Sequence, residues 1–128
     1  MANKLRVGIV GAGNIGRAVA NYAGFSREGF NIQAIFDVSP ALVGIDVHAI
    51  LVQPMEKLEA WITSHEVDIA VLSVPKGIAQ DIADTLVGGG VRAIWNFAPV
   101  RLQVPEYVIV QSENLAVSLT SLRVHMKN

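Results

Sequence analysis

Val7-Gly8-Ile9-Val10-Gly11-Ala12-Gly13-Asn14-Ile15-Gly16 is a β-branched strand that runs straight into a Gly-x-Gly-x-x-Gly turn. Asp37 closes the next apolar stretch, Ile32-Gln33-Ala34-Ile35-Phe36, about twenty residues further on. Strand, glycine turn, helical pattern, strand and terminal acid together describe the first unit of a doubly wound sheet that binds a dinucleotide. Each glycine has its own task there. Gly11 permits the tight turn, Gly13 lets the backbone approach a pyrophosphate, and Gly16 allows the following helix to pack closely on the strand. Ala12, Asn14 and Ile15 complete the loop, whose free amides at the helix start would meet phosphate oxygens with the helix dipole behind them. Asp37 would accept hydrogen bonds from the adenosine ribose, and its charge would repel a 2′-phosphate, so the expected cofactor is NAD(H) rather than NADP(H). The competing reading is a glycine turn in some other doubly wound domain, with Asp37 merely exposed.

Composition narrows the setting. With 128 residues the chain has room for one domain with a real core and none for a second catalytic domain. Apolar residues make up 52% and charged residues 16%, a balance that points to apolar surface covered by a partner, most simply a second copy. A net charge of −1 and the lack of any Lys/Arg cluster argue against direct nucleic-acid binding. Without cysteine there is neither a disulfide framework nor a thiol nucleophile. The first residues lead into a strand rather than a signal peptide, and no apolar run reaches membrane-spanning length, so a cytoplasmic protein is expected.

Strand-length apolar runs near 5–10, 31–37, 49–52, 68–74, 92–96 and 107–110 alternate with helical patterns, as a parallel α/β sheet with crossover helices requires. The first helix is expected through Ile15, Ala18, Val19, Tyr22 and Ala23. A second carries Met55, Leu58, Trp61 and Ile62, and a third Ile78, Ala79, Ile82, Ala83 and Leu86. Pro54 and Pro75 suit helix starts, and Gly88-Gly89-Gly90 suits a helix end. Residues 1–113 thus read as a Rossmann domain and residues 114–128 as a terminal helix. That helix has Leu115, Leu119 and Leu122 on one stripe and Ala116, Val117, Val124 and Met126 off it, so it is apolar nearly all round and is expected to pack on another subunit.

Asn21-Tyr22-Ala23-Gly24-Phe25, Ala34-Ile35-Phe36-Asp37-Val38, Val74-Pro75, Asn96-Phe97-Ala98-Pro99-Val100-Arg101-Leu102 and the leucine-rich terminus, added to the glycine motif, resemble the cofactor-binding domain of the Rex family, bacterial redox-sensing transcriptional repressors. The resemblance covers essentially the whole chain. It implies a homodimer that senses the NADH/NAD⁺ ratio, with NADH preferred and no turnover of the cofactor. It also implies Tyr22 near the nicotinamide, Asn96, Phe97, Ala98 and Pro99 around the ring, Val38, Val74 and Pro75 along the cofactor, and a terminal helix exchanged between subunits. Asn114 and Leu115 would then lie near the partner's nicotinamide. In that family a winged-helix domain binds operator DNA. Here the first strand begins at about Leu5, and Asn114 stands where the family commonly has an aspartate able to pair with an arginine of the winged helix. The loss of that aspartate favours a stand-alone paralogue over a truncated repressor, with any DNA-binding domain or partner protein elsewhere.

Catalytic machinery is not apparent. A dehydrogenase needs a proton donor or acceptor beside the transferred hydride. His48, His65 and His125 read as solvated surface residues, none spaced for a metal. Lys76 and Arg101 suit surface or structural roles, and Trp61 and Trp95 suit core or interface packing. No catalytic and no metal-ligating residues are therefore assigned. Two other functions stay open: the cofactor domain of an NAD-dependent oxidoreductase, and a coenzyme A-binding domain.

Overall fold

In the computed structural model, which describes residues 4–22, 24–113 and 126, the chain alternates strands and helices from β1 (Leu5–Val10) onward. After the glycine turn come α1 (Asn14–Asn21), α2 (Gly24–Arg27) and β2 (Phe30–Asp37). A short hairpin of β3 (Asp46–Val47) and β4 (Ile50–Pro54) leads through a 3-10 turn to α3 (Leu58–Ser64) and β5 (Ile69–Leu72). α4 (Lys76–Gly88), β6 (Ala93–Asn96) and β7 (Ile109–Ser112) follow. The described strands form one seven-stranded sheet in the order β3-β4-β2-β1-β5-β6-β7, parallel except for β3 against β4. From β1 the chain winds one way into β2 and β4, then the other way into β5, β6 and β7. The crevice between β1 and β5 is thus the point where the winding reverses, the place where open sheets of this kind take ligands.

Period-two alternation builds a core on each face. Ala34 and Phe36 of β2, with Ala70 and Leu72 of β5, meet Leu58 and Ile62 of α3 and Ile82 and Leu86 of α4. Val7, Ile9, Ile35 and Val71 point the other way, toward Val19 and Ala20 of α1. In α4 the buried Ala79, Ile82, Ala83 and Leu86 recur at helical spacing, and Gly90 at φ 104° ends the helix in left-handed geometry. At the amino ends of the central strands, remote from the glycine turn, the Arg6 amide donates to Asp68 Oδ2 at 2.7 Å and the Arg6 side chain adds a second bond at 3.2 Å. Those bonds hold the Asp68 carboxyl below its ordinary range and tie the start of β5 to β1.

The doubly wound α/β architecture matches the sequence reading, with several local differences. β3 is an additional strand. It has two residues and one buried side chain, Val47, too short for any periodicity to register. The fourth strand starts at Ile50 because His48 and Ala49 form the hairpin turn, and the last starts at Ile109 because the Val108 amide closes a turn onto the Pro105 carbonyl at 3.0 Å. α1 stops at Asn21. Tyr22, expected inside the helix, is an extended cap with φ −73° and ψ 106°. Ala23 and the terminal helix expected over 114–128, including Asn114, Leu115, Leu119 and Leu122, lie outside the described residues, apart from Met126.

The hairpin turn carries strain that can be relieved. His48 and Ala49 have φ of 53° and 68°, the left-handed pair that a two-residue turn between strands demands and that glycine or asparagine adopts more readily. Ala49→Gly removes the Cβ clash but loosens the unfolded chain, a balance that should leave the variant about 0.5–1 kcal/mol more stable. Thermal unfolding followed by circular dichroism should show a rise of about 2–4 °C. A lower midpoint would contradict this account of the turn.

Candidate dinucleotide site

The site grows out of the turn between β1 and α1. Gly11 has φ 107°, and a Cβ there would strike the Ser73 carbonyl oxygen. At Gly16 a Cβ would run into the Gly11 carbonyl. Both glycines are therefore needed for the loop to close on itself. Gly13 differs, because a Cβ there would meet nothing within 4 Å. Its missing side chain serves the space outside the loop.

α1 begins immediately beyond, capped by Gly13, with no side-chain cap and no acidic residue in the first turn. Its first helical bond is Arg17 N–H to the Gly13 carbonyl at 3.0 Å, so the Asn14, Ile15 and Gly16 amides have no partner within the helix. Arg17 lies over the same turn, donating to Asn14 Oδ1 at 3.1 Å while its Nε is buried without a partner. Free amides, the positive end of the helix dipole and an arginine make this end of α1 suited to an anion.

Two side chains hold the loop from beneath. Asp37, at the end of β2 and 9% exposed, accepts the Ala12 amide at 2.6 Å on one carboxylate oxygen and the Ser39 amide at 2.7 Å on the other. Ser73, just past β5, donates its hydroxyl to the Gly11 carbonyl at 3.2 Å. The sequence reading named Asp37 only as a ribose acceptor and missed Ser73. Its partner is 62 residues away, a relation no local pattern carries.

A cavity of about 290 Å³ opens beside the loop, lined by Gly13, Asn14, Ile15, Ser73, Val74, Phe97 and Pro99. It joins the loop to the carboxyl ends of β5 and β6. Several expected contacts fall elsewhere. Asn96 is 0% exposed and turns its carboxamide inward, and Ala98 is buried in the core, so neither lines the cavity. Pro75 caps α4 behind Val74. Val38 is exposed past Asp37, on the other side of β1 from the cavity. Tyr22 is 59% exposed and rests edge-on against Phe25, with ring centres 4.9 Å apart, rather than on the cavity wall.

A second cavity of about 250 Å³ lies on the α1 face of the sheet, lined by Val7, Val19, Phe25, Ile32, Val71, Trp95 and Ile109 among others. Trp95 lines this second cavity, with its ring centre 4.7 Å from that of Phe97, which lines the first. Among the described residues no three His, Asp or Glu side chains gather as metal ligands do, and no helix is long and apolar enough to cross a membrane.

The fold and the glycine-loop site are those of a Rossmann nucleotide-binding domain, and the chain belongs to the CoA binding domain family, whose model matches residues 2–100. More narrowly, it is a homologue of the cofactor-binding domain of Rex repressors. It is 45% identical over 119 residues to the redox-sensing transcriptional repressor Rex of Clostridioides difficile (strain 630), covering 93% of this chain and 57% of that protein. The corresponding protein of Clostridium beijerinckii (strain ATCC 51743 / NCIMB 8052) is 47% identical over 114 residues, 89% of this chain and 54% of the relative. Among solved structures, the Rex-family repressor RSP in complex with NAD⁺ and operator DNA superposes with a TM-score of 0.90 at 40% identity, over 97% of this chain and 57% of that one. The NADH complex of RSP gives 0.89, covering 97% of this chain and 60% of that one. The chain therefore spans rather more than half the length of these relatives. A cyanobacterial biliverdin reductase, 19% identical with a TM-score of 0.69 over 96% of this chain and 43% of that one, shares the fold alone.

Proposed function

We propose that this chain is a non-catalytic, cytoplasmic NAD(H)-binding domain that responds to the NADH/NAD⁺ ratio. The observation that carries the proposal is Asp37 at the end of β2, its carboxylate against the glycine loop, where the adenosine ribose of a dinucleotide would reach it. The residues present fit the cofactor. Gly13 leaves open space, the first turn of α1 offers free amides for the pyrophosphate, and the cavity continues past Val74 to Phe97 and Pro99 for the nicotinamide. The bound group would bring redox chemistry, while the chain's own residues bind it and shield the ring from water. The family name favours a second reading, coenzyme A. Its adenosine carries a 3′-phosphate, however, and a carboxylate held at the ribose repels that group as it repels the 2′-phosphate of NADP(H).

By the same reading the domain works as a homodimer through residues 114–128, whose apolar run suits the apolar cavity on the α1 face. DNA contact, which the RSP complex shows for that repressor, would fall to a domain or partner outside the matched portion. A cationic nicotinamide loses more hydration than a neutral dihydronicotinamide on entering a wall of Val74, Phe97 and Pro99. NADH should therefore bind at least about tenfold more tightly than NAD⁺, a difference of about 1.4 kcal/mol. Calorimetric titration with both, with sedimentation of the same samples to read the dimer, tests the proposal. Equal affinities would remove the sensing function, and turnover of NADH with a small keto or imino acid would transfer the case to an oxidoreductase.

A further inference from the structure

We infer that Asn96 is a positioning residue for the nicotinamide half of the cofactor, shaping the wall of the cavity without touching what the cavity holds. The inference rests on the dinucleotide reading above. Asn96 ends β6, fully buried, where an unsatisfied polar side chain would be costly. Its Oδ1 accepts the Ala98 amide at 3.0 Å, and its Nδ2 donates to the Ala98 carbonyl at 3.3 Å and the Val100 carbonyl at 3.1 Å. One short carboxamide thus satisfies three backbone groups of a segment that belongs to no strand or helix. Only asparagine offers an acceptor and a two-hydrogen donor on so short a stem. Under that clamp the chain bends so that Ala98 enters the core while Phe97 and Pro99 face the cavity.

The sheet order decides which part of the cofactor this wall can meet. β2, with Asp37, lies on one side of β1, and β6 lies on the other, beyond β5. A dinucleotide with its ribose at Asp37 and its pyrophosphate at α1 would therefore bring only its far half to Phe97 and Pro99. Disturbing Asn96 should weaken ligands that carry the nicotinamide and spare those that stop at the second ribose.

The test is calorimetric titration of the unmutated chain, Asn96→Asp, Phe97→Ala and the double variant with NADH and with ADP-ribose. Asn96→Asp keeps the acceptor and removes both donors. It should bind NADH about tenfold more weakly or worse and ADP-ribose within about twofold of the unmutated chain. In the Phe97→Ala background the same change should cost much less, because the two residues act through one wall. Equal losses for both ligands would reduce Asn96 to a general support of the fold and overturn the inference, as would unchanged NADH binding. If the unmutated chain bound neither ligand, the dinucleotide reading itself would fail. Should Asn96→Asp not fold, amide exchange on the unmutated chain decides. The Ala98 amide should exchange at least about a hundredfold more slowly than a free peptide and slow further with NADH but not with ADP-ribose. Exchange at the free-peptide rate, or equal slowing by both ligands, would overturn the inference.

Discussion

Gly11→Ala and Gly16→Ala are each expected to destabilise the protein by on the order of 3 kcal/mol, whereas Gly13→Ala should leave stability within about 1 kcal/mol and still abolish NADH binding. At Gly11 the added methyl forces a residue with φ 107° into the Ser73 carbonyl, and at Gly16 it meets the Gly11 carbonyl. Both obstacles are backbone and cannot swing aside. At Gly13 the methyl finds nothing within 4 Å of the protein, and under the NAD(H) reading it would fill the space the pyrophosphate needs. Urea denaturation paired with calorimetry separates the two kinds of loss. A Gly13→Ala protein that bound NADH as well as the unmutated chain would show that the open space is not a ligand site.

Asp37→Ala should weaken NADH by roughly 1.5–3 kcal/mol, the range for losing hydrogen bonds to a charged acceptor. It should also narrow the preference over NADPH and coenzyme A, because the charge that repels their extra phosphates is gone. A loss of stability should accompany the loss of affinity, since the Ala12 and Ser39 amides lose the carboxylate that receives them. Titrating all three ligands against both proteins checks this. The ribose assignment fails if NADPH or coenzyme A binds the unmutated chain as well as NADH does.

Much of this was legible in the sequence because the relevant signals are local. The β1 turn, α1 and Asp37 sit in one stretch where strand periodicity, glycine chemistry and an acid at fixed distance reinforce one another, and the α4 stripe is similarly self-contained. β3 was not legible, because two residues carry no period. Tyr22 prolongs the apolar pattern of α1, yet the chain leaves the helix there and its ring packs on Phe25, a contact made by the path of the backbone. The roles of Ser73 and Asn96 in holding the backbone were not legible, for a shared reason. Their work is done by hydrogen bonds to main-chain groups, which leave no trace in residue type. The resemblance placed Asn96 at the ring together with Phe97, while the alternation of the chain sends the two side chains to opposite faces.

The hold of Asp37 and Ser73 on the glycine loop bears on what a regulator of this design would measure. Under the NAD(H) reading, the adenosine and pyrophosphate are identical in the oxidised and reduced cofactor, so every contact they make with this half of the site cancels from the ratio of the two affinities. A loop braced by the chain's own hydrogen bonds to Asp37 and Ser73 would raise both affinities together and save ordering entropy for both alike. With both dissociation constants well below the cellular pool, the site would stay filled, and the only variable left would be which form fills it. On that reading the braced half would make the output insensitive to the total amount of cofactor, and the wall of Val74, Phe97 and Pro99 would help set the redox ratio at which the output changes.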